Sequence, residues 1–206
     1  MIHAYHLIIG AFGYWLPNDP RGSWSEAVRK WELLQYGQAI KTLDRRSLSE
    51  LTSEELIARE AARSALAYPP VRFTGEQARA VARGFAKVAQ RNNYSIWACA
   101  ILPEHTHLVI ARHRYRIEQV VNLLKGAATR QLIAEGIHPL NGFTKNGRRP
   151  PMWAVHEWKV YLDSEAAIEA AIRYVDENPM REGKPGQRWA FVKPFIGLET
   201  GWITYH

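Results

Sequence analysis

The chain has 206 residues, enough for one good-sized domain or one domain carrying an insertion. Hydrophobic residues make up 47% of it, which excludes a disordered protein, and no apolar stretch approaches the roughly 20 residues needed to span a bilayer. A net charge of +7 with a pI near 9.6 favours a polyanionic partner, although simple solubility accounts for a charge of this size as well.

A single cysteine, Cys99, rules out an internal disulfide and a multi-cysteine zinc site. The opening Met1-Ile2-His3-Ala4 lacks a basic stretch followed by an apolar run, so no secretory leader is expected and the cytoplasm is the expected location. Eight tryptophans and nine tyrosines are a heavy aromatic load; some belong in a core, and aromatic faces are also what unstacked bases sit on.

Residues 4–12 form a mostly apolar run of strand length. It ends at Gly13, before a dense group of turn formers from Pro17 to Gly22. Residues 24–70 read as a helical insertion, with helices expected over Trp24–Gln38 and Ser53–Ala67 and cap chemistry at Thr52-Ser53-Glu54-Glu55. Pro69-Pro70 closes it. A helix is predicted over Gly75–Asn92, on the stripe of Ala78, Val81, Ala82, Phe85 and Val88. Two strands, Tyr94–Leu102 and Thr106–Ala111, flank Pro103-Glu104 and suggest an antiparallel hairpin. A second helix is expected from Ile117 to Glu135, then a basic, flexible loop over 136–151. Trp153–Leu162 is a strand candidate, Ser164–Glu177 a final helix, and the tail after Gly183 holds strand-like pieces such as Trp189–Val192. This alternation suits a single α+β domain spanning 1–206, a sheet with helices packed on one or both faces and the insertion within it.

The sharpest local feature is Pro103-Glu104-His105-Thr106-His107-Leu108-Val109-Ile110. Side chains alternate along a strand, so His105 and His107 point to one face and can grip one ion, while Leu108 and Ile110 enter the core opposite. Two imidazoles on a rigid strand leave coordination positions open for substrate oxygens. The plain alternative is two ordinary strand histidines.

In the final helix, Ile168, Ile172 and Val175 form the core stripe and Tyr174 falls off it. Asn178 lies one turn after Tyr174 on the same side, and Pro179 disfavours helix at Asn178, which marks it as the helix end. A tyrosine phenol, with a pKa near 10, needs help to attack a phosphodiester at neutral pH. A metal between the two histidines supplies that help, and the Asn178 side-chain oxygen is a plausible third ligand.

Taken together, His105-Thr106-His107 after Pro103 and a helix bearing Tyr174 and Asn178-Pro179 resemble the HUH single-tyrosine transposases. Within them the chain is most like the REP-associated tyrosine transposases, which the Tyr5-His6 strand and the Tyr174–Gly183 segment also resemble. The resemblance implies a ferredoxin-like antiparallel sheet, a divalent ion (usually Mg²⁺ or Mn²⁺), and cleavage of single-stranded DNA that leaves a 5′-phosphotyrosine. Carried over, His105 and His107 are metal ligands, Tyr174 is the nucleophile and Asn178 assists at the metal. Two departures stand out: Thr106 replaces the bulky hydrophobic residue usual between the histidines, and the 24–70 insertion has no counterpart.

Candidate DNA contacts are Lys145, Arg148 and Arg149 in the basic loop and Arg181, Lys184 and Arg188 after the last helix. The resemblance implies a partner strand carrying a hairpin, with no membrane involved, and leaves monomer or homodimer open. His156, Tyr161 and Glu104 are weaker candidates for a role in the chemistry, and Cys99 is most simply core. Other functional classes remain: a hairpin binder without chemistry, a metal-dependent hydrolase in which Tyr174 only packs, or a replication-initiator or relaxase-type nickase.

Overall fold

The computed structural model describes residues 1–14 and 51–198. The turn cluster at Pro17–Gly22 and the expected Trp24–Gln38 helix lie outside the described residues. Elements run β1 (Ala4–Ala11), α1 (Ser53–Ser64), α2 (Gly75–Asn92), β2 (Ile96–Ile101), β3 (His105–Ala111), α3 (Ile117–Ala134), a short 3₁₀ turn (Asn141–Phe143), β4 (Trp153–Leu162) and α4 (Glu165–Arg181). The four strands form one sheet in the order β2-β3-β1-β4. That order is what two interleaved βαβ units produce, and it bears out the expected α+β antiparallel sheet with helices packed on it.

Register follows from a few bonds. Cys99 pairs with Leu108 and Ala100 with His107 in the β2–β3 hairpin. The Arg112 N–H donates to the His3 carbonyl and the His3 N–H to the Leu162 carbonyl, each at 2.8 Å, which ties β1 between β3 and β4. The chain divides into two compact units, 1–9 with 73–139 and 155–206, and 10–72 with 140–154.

In the first unit, Thr74 opens α2 with a capping box: the Gln77 N–H donates to Thr74 Oγ1 at 3.2 Å and the Thr74 N–H to Gln77 Oε1 at 2.9 Å. Helices α2 and α3 meet at Gly84, where a Cβ would come within 2.7 Å of the Ala128 backbone. Only glycine allows backbones this close. On the other sheet face, Ala98, Ala100 and Val109 pack with Ile168, Ala171 and Val175 of α4. Pleat alternation puts Leu108 and Ile110 on the α2–α3 side, both fully buried.

The last helix departs from expectation. It does not end at Asn178 but runs through Pro179 to Arg181. Proline costs one helical bond, and the following turn is sealed by Gly183 at φ +66°. There the Lys184 N–H donates to the Pro179 carbonyl at 2.8 Å and the Gly183 N–H to the Met180 carbonyl at 3.0 Å, a Schellman cap. Trp189–Val192 forms no strand; a turn leads to a single bridge between Val192 and Ile96.

The second unit holds α1, whose Thr52–Glu55 capping box is complete. Gly13, at φ +77°, lies so close to Pro70 that a Cβ would sit 2.9 Å from the proline Cβ. The segment expected to be a flexible loop carries a hairpin: Lys145 and Arg148 exchange two bonds of 3.0 Å across Asn146 and Gly147, both at positive φ. Asn-Gly is the pair that such a two-residue turn prefers.

Candidate active site

Strand β3 buries every residue from His105 to Ile110, so its histidines do not face open solvent. His105 is 5% exposed and His107 2%, because α4 covers their face of the sheet. Tyr174 and Asn178 come to the same place from α4. The Tyr174 ring meets the His107 ring edge-on at 5.6 Å, and the His105 and His107 rings are 4.7 Å apart. Ser164 starts the helix by accepting from the Ala167 N–H at 3.3 Å. Asn178 is buried, and its Oδ1 has no hydrogen-bond partner among the described residues. A buried amide oxygen without a partner, one helical turn from Tyr174, could contribute to holding a cation.

Two residues that sequence reasoning did not select also belong here. His6 of β1 places Nε2 3.0 Å from His107 Nδ1, and its ring stacks on His107 and meets Tyr174 at 5.6 Å. Burial pushes its imidazole down to about 4, so His6 is neutral at pH 7. With Nδ1 of His107 engaged by His6, Nε2 becomes the ligating nitrogen of His107 in any metal complex that keeps this bond. Glu182, at the α4 C-cap, brings Oε1 to 3.8 Å from His105 Nε2.

No three His, Cys, Asp or Glu side chains form a metal cage among the described residues. The nearer description is two imidazoles and an amide oxygen, with a carboxylate at the rim. Such a mixed nitrogen and oxygen set fits a divalent ion and leaves positions for phosphate oxygens.

The predicted DNA contacts separate. Arg181 joins the site, its guanidinium 5.5 Å from the Tyr174 ring centre and ion-paired with Glu177 at 2.6 Å. Lys184 and Arg188 are exposed beyond the helix. Lys145, Arg148 and Arg149 are exposed in the second unit, with Arg149 Nε donating to Asn141 Oδ1 at 3.1 Å. Of the weaker candidates, His156 is exposed on β4 and Tyr161 is exposed against Tyr5. Cys99 is buried, which pushes its thiol up. No helix among the described residues is long and apolar enough to cross a membrane.

The chain is similar to two solved structures at low identity. One is a REP-associated tyrosine transposase bound to a REP hairpin: 13% identity, TM-score 0.45, covering 88% of this chain and 68% of that one. The other, from Deinococcus radiodurans R1, is described as a candidate transposase: 14% identity, TM-score 0.38, covering 86% of this chain and 92% of that one. No curated protein sequence matches. The profile of the family described as Transposase IS200 like matches residues 68–178, the stretch that holds His105, His107, Tyr174 and Asn178. That match covers more than half of the 206 residues, and the chain belongs to the IS200-like transposase family.

Proposed function

We propose that this transposase cuts and rejoins single-stranded DNA beside a hairpin, through a covalent bond between Tyr174 and a 5′-phosphate. The observation that carries this reading is the convergence of the Tyr174 ring on His6 and His107, with the unpartnered Asn178 Oδ1 one turn along the same helix. In the reaction the phenol loses its proton and its oxygen attacks phosphorus. The bond to the 3′-oxygen breaks, and that oxygen takes up from solvent a proton equivalent to the one the phenol released, leaving as a 3′-hydroxyl. The phosphodiester energy stays in the phosphotyrosine, so a later 3′-hydroxyl can restore the strand without ATP.

His105, His107 and Asn178 would hold a divalent ion, Mg²⁺ or Mn²⁺, with Glu182 at its edge. When bound, that ion supplies Lewis-acid polarisation of the scissile phosphate. The residues of the chain do the rest. Neutral His6 orients His107. Arg181, over the Tyr174 ring, offers a cation to a non-bridging oxygen. Burial of both histidines keeps bulk water from the phosphorus, so the tyrosine competes as nucleophile.

The test uses hairpin-bearing single strands from DNA flanking the gene, labelled at either end, with Mg²⁺ or Mn²⁺. Wild type should release a 5′-labelled fragment with a free 3′-hydroxyl and retain the downstream fragment on protein through denaturation. Tyr174→Phe should lose both products, a drop of at least about 10³-fold. Cutting that survives in the variant makes Tyr174 a packing residue and the enzyme a hydrolase. Binding without cutting in wild type leaves a hairpin binder.

A further inference from the structure

Cations recur along α2 at a spacing of four residues: Arg79, Arg83, Lys87 and Arg91. A step of four residues turns a helix by about 400°, so successive members stand one above the other and the row drifts by only about 40° at each step. The apolar residues of the helix, Val81, Phe85 and Val88 among them, are buried, and all of these cations are exposed on its solvent side. From Arg79 to Arg91 the row runs about 18 Å, at about 1.5 Å per residue.

Helix stability does not account for the row. Like charges four residues apart destabilise a helix, and an ordinary solvated face alternates them with carboxylates. Helix α2 carries a single carboxylate, Glu76, in its first turn. From α3, Glu135 answers the row, but Arg83 takes both of its oxygens. Lys87 donates to the neutral Gln131 Oε1 at 2.7 Å, and Arg79 and Arg91 have no ion-pair partner among the described residues.

A further cation joins from α3. Lys87, Arg91 and Arg130 line a cleft of about 320 Å³ between the two helices, and among the described residues no carboxylate and no aromatic ring shares that lining. Arg130 is seated by a glycine. A Cβ on Gly126, one turn earlier, would lie 3.2 Å from Arg130 Nη1, so the guanidinium folds back over bare backbone.

We propose that the α2 row, with Arg130, holds the phosphate backbone of the paired stem of a DNA hairpin. The inference rests on the hairpin reading above and adds where the stem lies: on the α2–α3 side of the sheet, opposite the face on which α4 brings Tyr174 to His107. The chemistry favours paired DNA. A single strand exposes its bases, and proteins that bind it offer aromatic faces for stacking; the cleft beside the row offers none. A duplex turns its bases inward and presents a phosphate about every 3.4 Å along each strand, so the row matches about five phosphates of one strand. Such contacts fix position and carry no sequence information.

The test compares the full wild-type chain with Arg79→Gln/Lys87→Gln/Arg91→Gln in binding to a blunt hairpin stem and to an oligothymidylate with as many phosphates. Glutamine is a good helix former and removes the like charges, so the variant should melt at or above the wild-type temperature. Its affinity for the stem should fall at least about 10-fold near 0.1 M salt, and the slope of log affinity against log salt should drop by about 2 to 3. The loss on the oligothymidylate should be smaller. Arg79→Lys/Arg91→Lys, which keeps every charge, should bind the stem as wild type does. Unchanged stem affinity and slope in the glutamine variant overturn the proposal, and so does an equal loss on both DNAs. Should the triple variant misfold, Arg91→Gln alone decides, with about a third of the slope change expected and none overturning the site. If wild type forms the Tyr174 adduct while the glutamine variant binds the stem normally, this inference alone falls. If wild type binds no stem at all, it falls together with the hairpin reading.

Discussion

His6 shows how much a single buried polar contact can decide. An imidazole that binds a metal is oriented by whatever its second nitrogen touches; in the metal-ligand role proposed for His107, that partner is His6 Nε2 at 3.0 Å. His6→Ala removes this bond; Mn²⁺ affinity should fall about 10-fold by calorimetry, and His6→Gln, which retains a polar group of similar reach, should recover part of it. Unchanged affinity in His6→Ala would make His6 a packing residue. Thr106 makes the opposite case. Its side chain is fully buried and its hydroxyl has no partner among the described residues, at the position where the resemblance leads one to expect a bulky hydrophobic residue. A buried hydroxyl without a partner carries an uncompensated desolvation cost. Thr106→Val, nearly the same in shape, should raise stability by about 1 kcal/mol in urea denaturation without altering metal affinity. A loss of stability would mean that the hydroxyl has a partner, such as an ordered water.

At the scale of elements, α2 and α3 are held by a close backbone crossing at Gly84 and by a brace at its edge. Arg83 Nε and Nη2 reach the two Glu135 oxygens at 2.8 and 2.5 Å, a two-point pairing between flat groups. The Arg83 hydrogen bonds, then that from Gln131, hold the Glu135 carboxyl down at about 2. A carboxyl lowered on folding stabilises above its ordinary value of 4.5, and that contribution fades as pH falls from 4.5 through about 2. Glu135→Gln should therefore be less stable than wild type at pH 7 and converge on it near pH 2. The gap should also shrink in high salt, because the pair is exposed. A gap independent of pH would assign the loss to packing instead. The path of α4 past Pro179 belongs to this scale as well. A proline rule that looks one residue back predicts a stop at Asn178, whereas the Schellman cap at Gly183 satisfies the last carbonyls and extends the helix by a turn. That extra turn carries Arg181 to the Tyr174 ring and Glu182 to His105.

For the whole molecule, the net charge of +7 is an argument about affinity rather than chemistry. Each phosphate neutralised releases counterions, so the logarithm of the binding constant should fall linearly with the logarithm of salt concentration. Replacing Arg148 and Arg149 by alanine should weaken hairpin binding and flatten that slope by about 0.7 to 0.9 for each phosphate that is no longer neutralised. A slope identical to wild type would put the phosphate-binding residues elsewhere, with Arg181, Lys184 and Arg188 next in line. The Lys145–Arg148 hairpin presents its basic residues on a hydrogen-bonded turn, which should lower the entropy lost in the phosphate binding tested by that variant.

What the linear order of residues dictates is local. Period-two and period-3.6 patterns place four strands and their helices, because burying one face is a property each segment carries by itself. His105 and His107 share a face for the same reason, and Tyr174 and Asn178 share a helix side through their four-residue spacing. The meeting of those pairs is not local: it depends on α4 lying over β3, and only a resemblance to other chains anticipates it. The contact of His6 with His107 cannot be read from the sequence for a related reason. His6 lies 101 residues from His107, in a strand whose place beside β3 is set by the sheet order β2-β3-β1-β4 and not by anything near residue 6. The course of the segment after α4 depends likewise on tertiary structure. Its Gln187 side chain accepts from the Ile101 N–H and donates to the Ile101 carbonyl at the edge of β2. Backbone groups unmet at a sheet edge draw such a segment to it, and the folded sheet alone decides where that edge is.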